Sequence, residues 1–114
     1  MEYVKIANAS RDRVLAERVG LADTPAARRR GLLGSRELSG EEGLLIIPCR
    51  QVHTFGMKYP IDVIFLDASW RVRRYCKGLK PWRLSPFVIS SKSVLELPAG
   101  KIDETETEIG DVLR

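Results

Sequence analysis

Cys49, His53 and Met57 stand four residues apart, in a stretch that also holds Phe55, Lys58 and Asp62. Thiol, imidazole and thioether are soft ligands, a set suited to copper. Geometry weakens that reading, because four residues of extended strand span about 13 Å and neighbours so placed do not share one ion. The even spacing instead puts all three on one face with Phe55, as in a core face carrying one hydrogen-bonded histidine. No metal site is therefore expected. Nucleophilic catalysis meets the same obstacle, since a cysteine activated by His53 needs sulfur and imidazole within about 3–4 Å and a depressed thiol pKa. Cys49 satisfies that only across a turn, and Cys76 only from a neighbouring strand. The two cysteines are too few and too far apart for a disulfide framework or a Cys-x-x-Cys zinc site. Free thiols are expected, and a Cys49–Cys76 bridge would require their strands to be adjacent.

Carboxylates offer a second chemistry. Asp62 lies between Ile61 and Val63 in an apolar run, directly after Pro60. A buried aspartate needs strong hydrogen bonds or a cation. Capping the Lys58-Tyr59-Pro60 turn through backbone N–H groups would supply the bonds. The functional reading has Asp62, His53 and Lys58 lining one polar pocket. Glu96, flanked by Leu95 and Leu97, poses the same question: a solvated strand face, or an acid–base partner for His53.

The charges are unevenly spread. The net charge is +4, yet no acidic residue falls between Asp67 and Glu96, where Arg71, Arg73, Arg74, Lys77, Lys80, Arg83 and Lys92 lie. Asp103, Glu104, Glu106, Glu108 and Asp111 form an acidic counterweight near the C-terminus. Trp70, Tyr75 and Trp82 interleave with the cations, a pattern that can bind single-stranded nucleic acid by stacking. The small overall charge and the lack of any nucleic-acid motif argue against that partner. The Arg28-Arg29-Arg30 run reads as the solvated end of a helix, where cations complement the dipole.

These residues must be positioned by short elements. Tyr3 to Ala7 alternates as a strand, and Arg13 to Ala22 pairs with it as a hairpin. Thr24-Pro25 opens a short helix that Gly31 closes. Gly43 to Ile47 is a continuous apolar run suited to a strand buried on both faces, and Ile61 to Asp67 is a second strongly apolar strand. Arg71 to Lys77, Val88-Ile89 and Val94 to Leu97 supply further strand material, with turns at Pro98-Ala99-Gly100 and Gly110-Asp111. Seven to eight short strands and one helix near residues 25–31 predict a mainly-β sandwich or jelly-roll-like barrel. With 114 residues, 44% of them apolar, the chain is expected to form a single domain over residues 1–114. No apolar run reaches the roughly 18 residues of a membrane span. The N-terminus lacks a signal-like pattern, so a cytoplasmic location is expected.

The order of motifs resembles a known family. Thr24 with Gly31-Leu32-Leu33, then Gly43-Leu44-Leu45, then the run His53-Thr54-Phe55-Gly56-Met57-Lys58-Tyr59-Pro60-Ile61-Asp62-Val63-Ile64-Phe65-Leu66-Asp67 resemble the prokaryotic domain-of-unknown-function family 192. Leu95-Glu96-Leu97-Pro98-Ala99-Gly100 and Gly110-Asp111 match its closing motifs. Many members carry Trp-Met-Lys where this chain has Gly56-Met57-Lys58, and Cys49 and His53 belong to a sub-pattern. The resemblance implies a compact, mainly-β fold of sandwich or jelly-roll type with no established activity.

Together these readings favour a small non-enzymatic binding domain. Its pocket or groove would lie near His53, Lys58 and Asp62, with Arg73 and Trp82 in a basic rim spanning Arg71 to Arg83. The expected partner is a small anionic ligand or an acidic protein or peptide surface, with no cofactor. The alternatives are a hydrolase- or isomerase-like enzyme using His53 with Asp62 or Glu96, and a structural or assembly module.

Overall fold

The computed structural model describes residues 1–34 and 36–114. Six strands form one sheet: β1 (Tyr3–Asn8), β2 (Arg13–Ala22), β3 (Glu42–Ile46), β4 (Ile61–Leu66), β5 (Val72–Leu79) and β6 (Ser93–Pro98). Their order is β1-β2-β3-β6-β4-β5, antiparallel throughout except for the β2–β3 pair. Two short helices, α1 (Pro25–Arg30) and α2 (Lys101–Glu104), complete the elements.

The sheet curls until its edges nearly meet, and the C-terminal segment fills the gap. Leu113 bridges Asn8 at the end of β1, and Val112 bridges Arg71 just before β5. Backbone bonds in both directions between Ala7 and Arg114, and from Val72 N–H to the Asp111 carbonyl, complete the closure. Closure removes the edges that β1 and β5 would otherwise expose. Buried polar groups pin the segment: Asn8 Nδ2 donates to Thr107 Oγ1 at 3.1 Å and to Asp111 Oδ2 at 2.9 Å. Arg11 Nε donates to the same Asp111 oxygen at 3.0 Å.

The mainly-β class and barrel-like closure agree with the sequence reading, although the count is six strands. Val88-Ile89 lies in an irregular segment instead. The expected hairpin of β1 and β2 forms, but register shifts between Val4, Ile6 and Ala7 break its alternation. Leu15-Ala16 and Val19-Gly20 are consequently buried in pairs. A helix unanticipated in the sequence, α2, follows the Pro98-Ala99-Gly100 turn, where Gly100 takes a left-handed φ of 97°.

Alternation divides β4 and β6 between two cores. Ile64, Leu66, Leu95 and Leu97 face inward with Leu15, Val19, Leu45, Ile102 and Leu113. Ile61, Val63, Phe65 and Val94 face outward with Leu44, Ile46, Leu32, Val52 and Met57. Both faces of β4 are covered, which explains why its residues other than Asp62 are all apolar. Gly43 permits close packing on the inner side, since a Cβ there would lie 3.0 Å from Leu97 Cδ2 and 3.1 Å from the Glu96 carbonyl oxygen.

Candidate ligand-binding site

The outer core is roofed by α1 and by two irregular arms, residues 47–57 and 80–92. The arms run antiparallel and are zipped by mixed backbone and side-chain bonds. Cys49 N–H donates to the Lys92 carbonyl at 3.0 Å, Val88 N–H to Arg50 at 2.9 Å, Ser85 N–H to Val52 at 2.9 Å and Thr54 N–H to Arg83 at 2.8 Å. Ser85 Oγ accepts from Val52 N–H at 2.9 Å, and Thr54 Oγ1 accepts from Arg83 N–H at 2.9 Å. Hydroxyls thus replace the regular ladder, and the irregularity leaves space beneath the arms. Helix α1 is fixed beside them by its cap, with Thr24 Oγ1 accepting from Ala27 N–H at 3.2 Å and Gly31 N–H donating to the Ala27 carbonyl.

Between α1, the arms and the sheet lies a cavity of about 640 Å³. Leu32, Ile46, Val52 and Met57 supply buried apolar walls, while Leu33, Phe55 and Phe87 stand exposed at its border. Arg28, Arg29 and Arg30 line it from α1, and Cys49, Arg50, His53 and Lys92 from the arms. Glu96 of β6 joins the lining from below. It projects from the outer face because it pairs in register with Leu44 and Val63, both apolar neighbours.

Glu96 is 3% exposed, and its Oε1 has no hydrogen-bond partner. Burial pushes its pKa up to about 8, so the carboxyl is mostly protonated at neutral pH. Among the described residues, only one other buried side-chain nitrogen or oxygen lacks a partner: Arg28 Nε, in the lining of the same cavity. The terminal Arg28 Nη1 reaches the Pro48 carbonyl only at 3.5 Å. Both atoms carry almost no accessible surface of their own, so each is a polar group buried at a desolvation cost.

Cys49 is free, and its Sγ donates to the Gln51 carbonyl at 3.2 Å. Burial raises its pKa, opposed by the Gln51 contact and reinforced by nearby Glu96. The sulfur is therefore held as thiol, the opposite of a nucleophilic cysteine. Cys76 is also free, lies opposite Val63 on β5, and has its pKa raised by burial. His53 Nδ1 accepts from Phe55 N–H at 3.2 Å, which leaves the proton of the neutral ring on Nε2. Its ring stacks on Phe55 at 4.9 Å, and Phe55 in turn faces Trp82 at 6.3 Å.

His53 and Glu96 therefore share a cavity, as do Cys49 and Met57. The separation assumed for Cys49, His53 and Met57 presupposed an extended strand, whereas this arm has one isolated bridge at His53 and a turn at Phe55-Gly56. Even so, among the described residues no three histidine, cysteine or acidic side chains gather into a metal site.

Asp62 belongs elsewhere. It points into the barrel, where Oδ2 accepts from Ile102 N–H and Oδ1 from Gly78 N–H, each at 2.8 Å. Its capping role is real but serves α2 and β5 rather than the Lys58-Tyr59-Pro60 turn. A pocket joining His53, Lys58 and Asp62 is not what the fold builds, because Asp62 and the arms occupy opposite faces of the sheet. The same separation removes His53 with Asp62 as an acid–base pair. Lys58 is exposed outside the cavity lining, Arg73 is exposed and stands 3.9 Å from Asp67, and Trp82 meets the site only through Phe55. The cationic border comes chiefly from Arg28, Arg29, Arg30, Arg50 and Lys92 rather than from Arg71 to Arg83. Reading the arginine run as merely solvated overlooked Arg28. Its place in the lining of the same cavity as the distant Glu96 had no local signal.

The protein is thus a closed, mainly-β barrel with one roofed and hollowed outer face. The chain belongs to the family of uncharacterised proteins described as DUF192, Uncharacterized ACR, which it matches over residues 6–114. It is 36% identical over 109 residues to a UPF0127 protein of Thermococcus sibiricus, covering 91% of this chain and 70% of that one. A UPF0127 protein of Pyrococcus horikoshii is 30% identical, with 96% of each chain covered. A crystal structure of a protein of unknown function from Novosphingobium aromaticivorans has a TM-score of 0.86 at 25% identity, covering 98% of this chain and 84% of that one. A crystal structure of a putative transcription regulator from Sinorhizobium meliloti has a TM-score of 0.79 at 27% identity, covering 99% and 92%.

Proposed function

We propose that this protein is a binding module that takes a small molecule into the cavity beneath the two arms. The observation that carries this reading is Glu96, an almost fully buried acid that lines the cavity in an otherwise apolar patch of sheet. A valine or leucine there would remove a desolvation cost of several kcal/mol, so the carboxyl makes sense as a group kept for a ligand. The volume supports a small molecule over a macromolecular surface, since about 300–1,000 Å³ is usual for such sites. The cations border an apolar hollow and present no phosphate-tracking stripe, which weighs against nucleic acid. Among the described residues, no helix is long and apolar enough to cross a membrane.

One observation favours a second reading. His53 and Glu96 line the same cavity, and a carboxyl with a pKa near 8 together with an imidazole in one cavity is a combination that acid–base enzymes use. A hydrolase- or isomerase-like activity would therefore use His53 with Glu96. Against it stands the absence of a direct hydrogen bond from His53 to any carboxylate among the described residues.

Screening a set of uncharged aromatic and aliphatic fragments against the isotope-labelled protein by amide NMR tests the binding reading. Shifts concentrated at Leu33, Cys49, Val52, His53 and Met57, and lost in Ile46→Trp, support it. Shifts scattered over the barrel, or unaffected by that substitution, refute it. Recovery of the fragments as altered products would favour the enzyme instead.

A further inference from the structure

We propose that the outer face of the two arms is a docking surface that seats the protein on an anionic lipid bilayer, whether or not a ligand fills the cavity beneath. Five of the twelve large apolar side chains that stand exposed among the described residues lie on the arms: Phe55, Trp82, Leu84, Phe87 and Ile89. Ile89 is 80% exposed, Trp82 65%, Phe87 60% and Leu84 58%, so these four project into solvent rather than lean on the fold. Pairing of the arms gathers them. Leu84 bridges His53, whose ring stacks on Phe55, and Phe55 faces Trp82. Toward the other end of the arms, Arg50 Nε donates to the Ile89 carbonyl at 3.1 Å. Val52, Thr54, Ser85 and Val88 are the buried residues between them, and the apolar side chains named above are left outward. Apolar side chains clustered and exposed in this way mark a contact made with something else.

The fold holds the tip of this face ready-made. Trp82 takes a left-handed φ of 63°, a conformation that is costly for a residue with a side chain. Two bonds keep it there: Trp82 N–H donates to the Thr54 carbonyl at 3.0 Å, and Thr54 Oγ1 donates to the Lys80 carbonyl at 2.6 Å. An indole, with its apolar body and one N–H, suits the boundary between lipid headgroups and acyl chains.

Charge names the partner. Neither arm carries an acidic residue, and Arg50, Lys80, Arg83 and Lys92 stand exposed among the apolar side chains. None of these four makes an ion pair among the described residues, so their charge is left for a partner. Arg28, Arg29 and Arg30 of α1 line the cavity together with Phe55 and Phe87 and add to the same field. Apolar groups that enter the headgroup layer and cations that meet its phosphates are the two parts of peripheral membrane binding.

Other occupants fit less well. An acidic peptide laid in the cavity mouth would leave Trp82, Leu84 and Ile89 uncovered, because they lie outside its lining. A second copy docked face to face would set the same cations against one another. Nucleic acid would find nothing to stack on at Leu84 and Ile89. A bilayer surface is deformable, so it covers side chains that project separately and offers an anion to each cation.

Co-sedimentation of the full chain with vesicles tests this, using equal parts phosphatidylglycerol and phosphatidylcholine against phosphatidylcholine alone. Wild type is expected to bind the mixed vesicles at least tenfold more tightly than the neutral ones. Raising salt from about 0.1 M to about 0.5 M should weaken that binding at least fivefold. Trp82→Ser with Ile89→Ser weakens it at least tenfold, and so does Lys80→Glu with Arg83→Glu, since each cation near such a surface is worth about fivefold. Ile109→Ser, at an exposed apolar position on the C-terminal segment, leaves it unchanged. All five side chains are exposed, and unchanged urea midpoints will show that the variants stay folded. Trp70→Phe leaves Trp82 as the sole tryptophan, whose emission should shift to the blue on the mixed vesicles and be quenched by brominated acyl chains. No binding to the mixed vesicles, binding untouched by the Trp82 and Ile89 substitutions, or unaltered Trp82 emission overturns the proposal. A dimer that those substitutions dissociate, without vesicle binding, assigns the face to a second copy. Tighter binding of a peptide alternating glutamate and leucine than of the vesicles assigns it to an acidic peptide. Either result overturns the lipid surface and leaves the cavity reading to its own fragment screen.

Discussion

Replacing Glu96 by glutamine should change the pH dependence of stability more than the stability itself. In the unfolded chain the carboxyl titrates near its ordinary 4.5, and in the folded protein near 8. Between those values the folded state binds the extra proton, so stability falls as pH rises, by about 1.36 kcal/mol per pH unit. Below 4.5 both states are protonated and the effect vanishes. Above 8 both are ionised and the loss is complete. The 3.5 pH units between the two values give about 5 kcal/mol in all, a large share of the 5–15 kcal/mol that holds a domain together. Glutamine is of similar size and does not titrate. Urea unfolding of wild type and E96Q at intervals from pH 5 to pH 9 should therefore show a difference growing by about 4 kcal/mol in favour of E96Q, accumulated over the three pH units up to 8. The Glu96 side-chain carboxyl carbon, followed by NMR in the folded protein, should titrate well above the ordinary carboxylate range. Parallel stability curves would refute the reasoning, because they would mean that Glu96 is solvated or paired in solution and the cavity floor is not as described.

Other parts of the fold make equally definite claims. Asp62→Ala removes the acceptor for two backbone N–H groups, those of Gly78 and Ile102, and should cost about 2–5 kcal/mol in denaturant unfolding. A loss below 1 kcal/mol would show that water or a rearranged α2 replaces those bonds. Leu113→Ala opens the barrel seam where β1 and the segment before β5 meet the C-terminus, and should destabilise by about 2–5 kcal/mol. Hydrogen exchange should then quicken first at Ala7 and Val72, whereas uniform quickening would contradict a seam closed by that segment. Both thiols should react with iodoacetamide at pH 7.5 more slowly than a free cysteine, since burial raises both pKa values. Faster alkylation of Cys49 would instead bring nucleophilic chemistry back into consideration.

Much of the scaffold could be read from the chain alone. Thr24-Pro25 before Ala26 and Gly31 after Arg30 set the limits of α1 through capping and a left-handed stop, both local effects. The unbroken apolar run of β3 announced a strand covered on both sides, the strongly apolar β4 announced another strand, and the structure supplies two covers for each. The family motifs, closely spaced along nearly the whole chain, pointed to the same mainly-β architecture. The two arms were far less legible. Their bonds run from Thr54 and Ser85 hydroxyls to backbone groups some thirty residues away, and such pairings leave no periodicity. Val88 therefore read as strand material, although it belongs to an arm.

Asp62 and Glu96 show where sequence stops and tertiary structure takes over. Each is a lone acid inside an apolar strand, and alternation alone places each on one of two faces. Which face is which depends on register with the neighbouring strands. Asp62 turns inward to meet Ile102 and Gly78 and becomes a structural acceptor. Glu96 turns outward beneath an irregular roof that supplies no partner for Oε1 and becomes the floor of a cavity. Residue type and local pattern determined that buried acids would be present and that strands would carry them. Only the closure of the sheet and the seating of α1 and the arms decided which acid was satisfied, because desolvation and hydrogen bonding depend on atoms brought from distant parts of the chain.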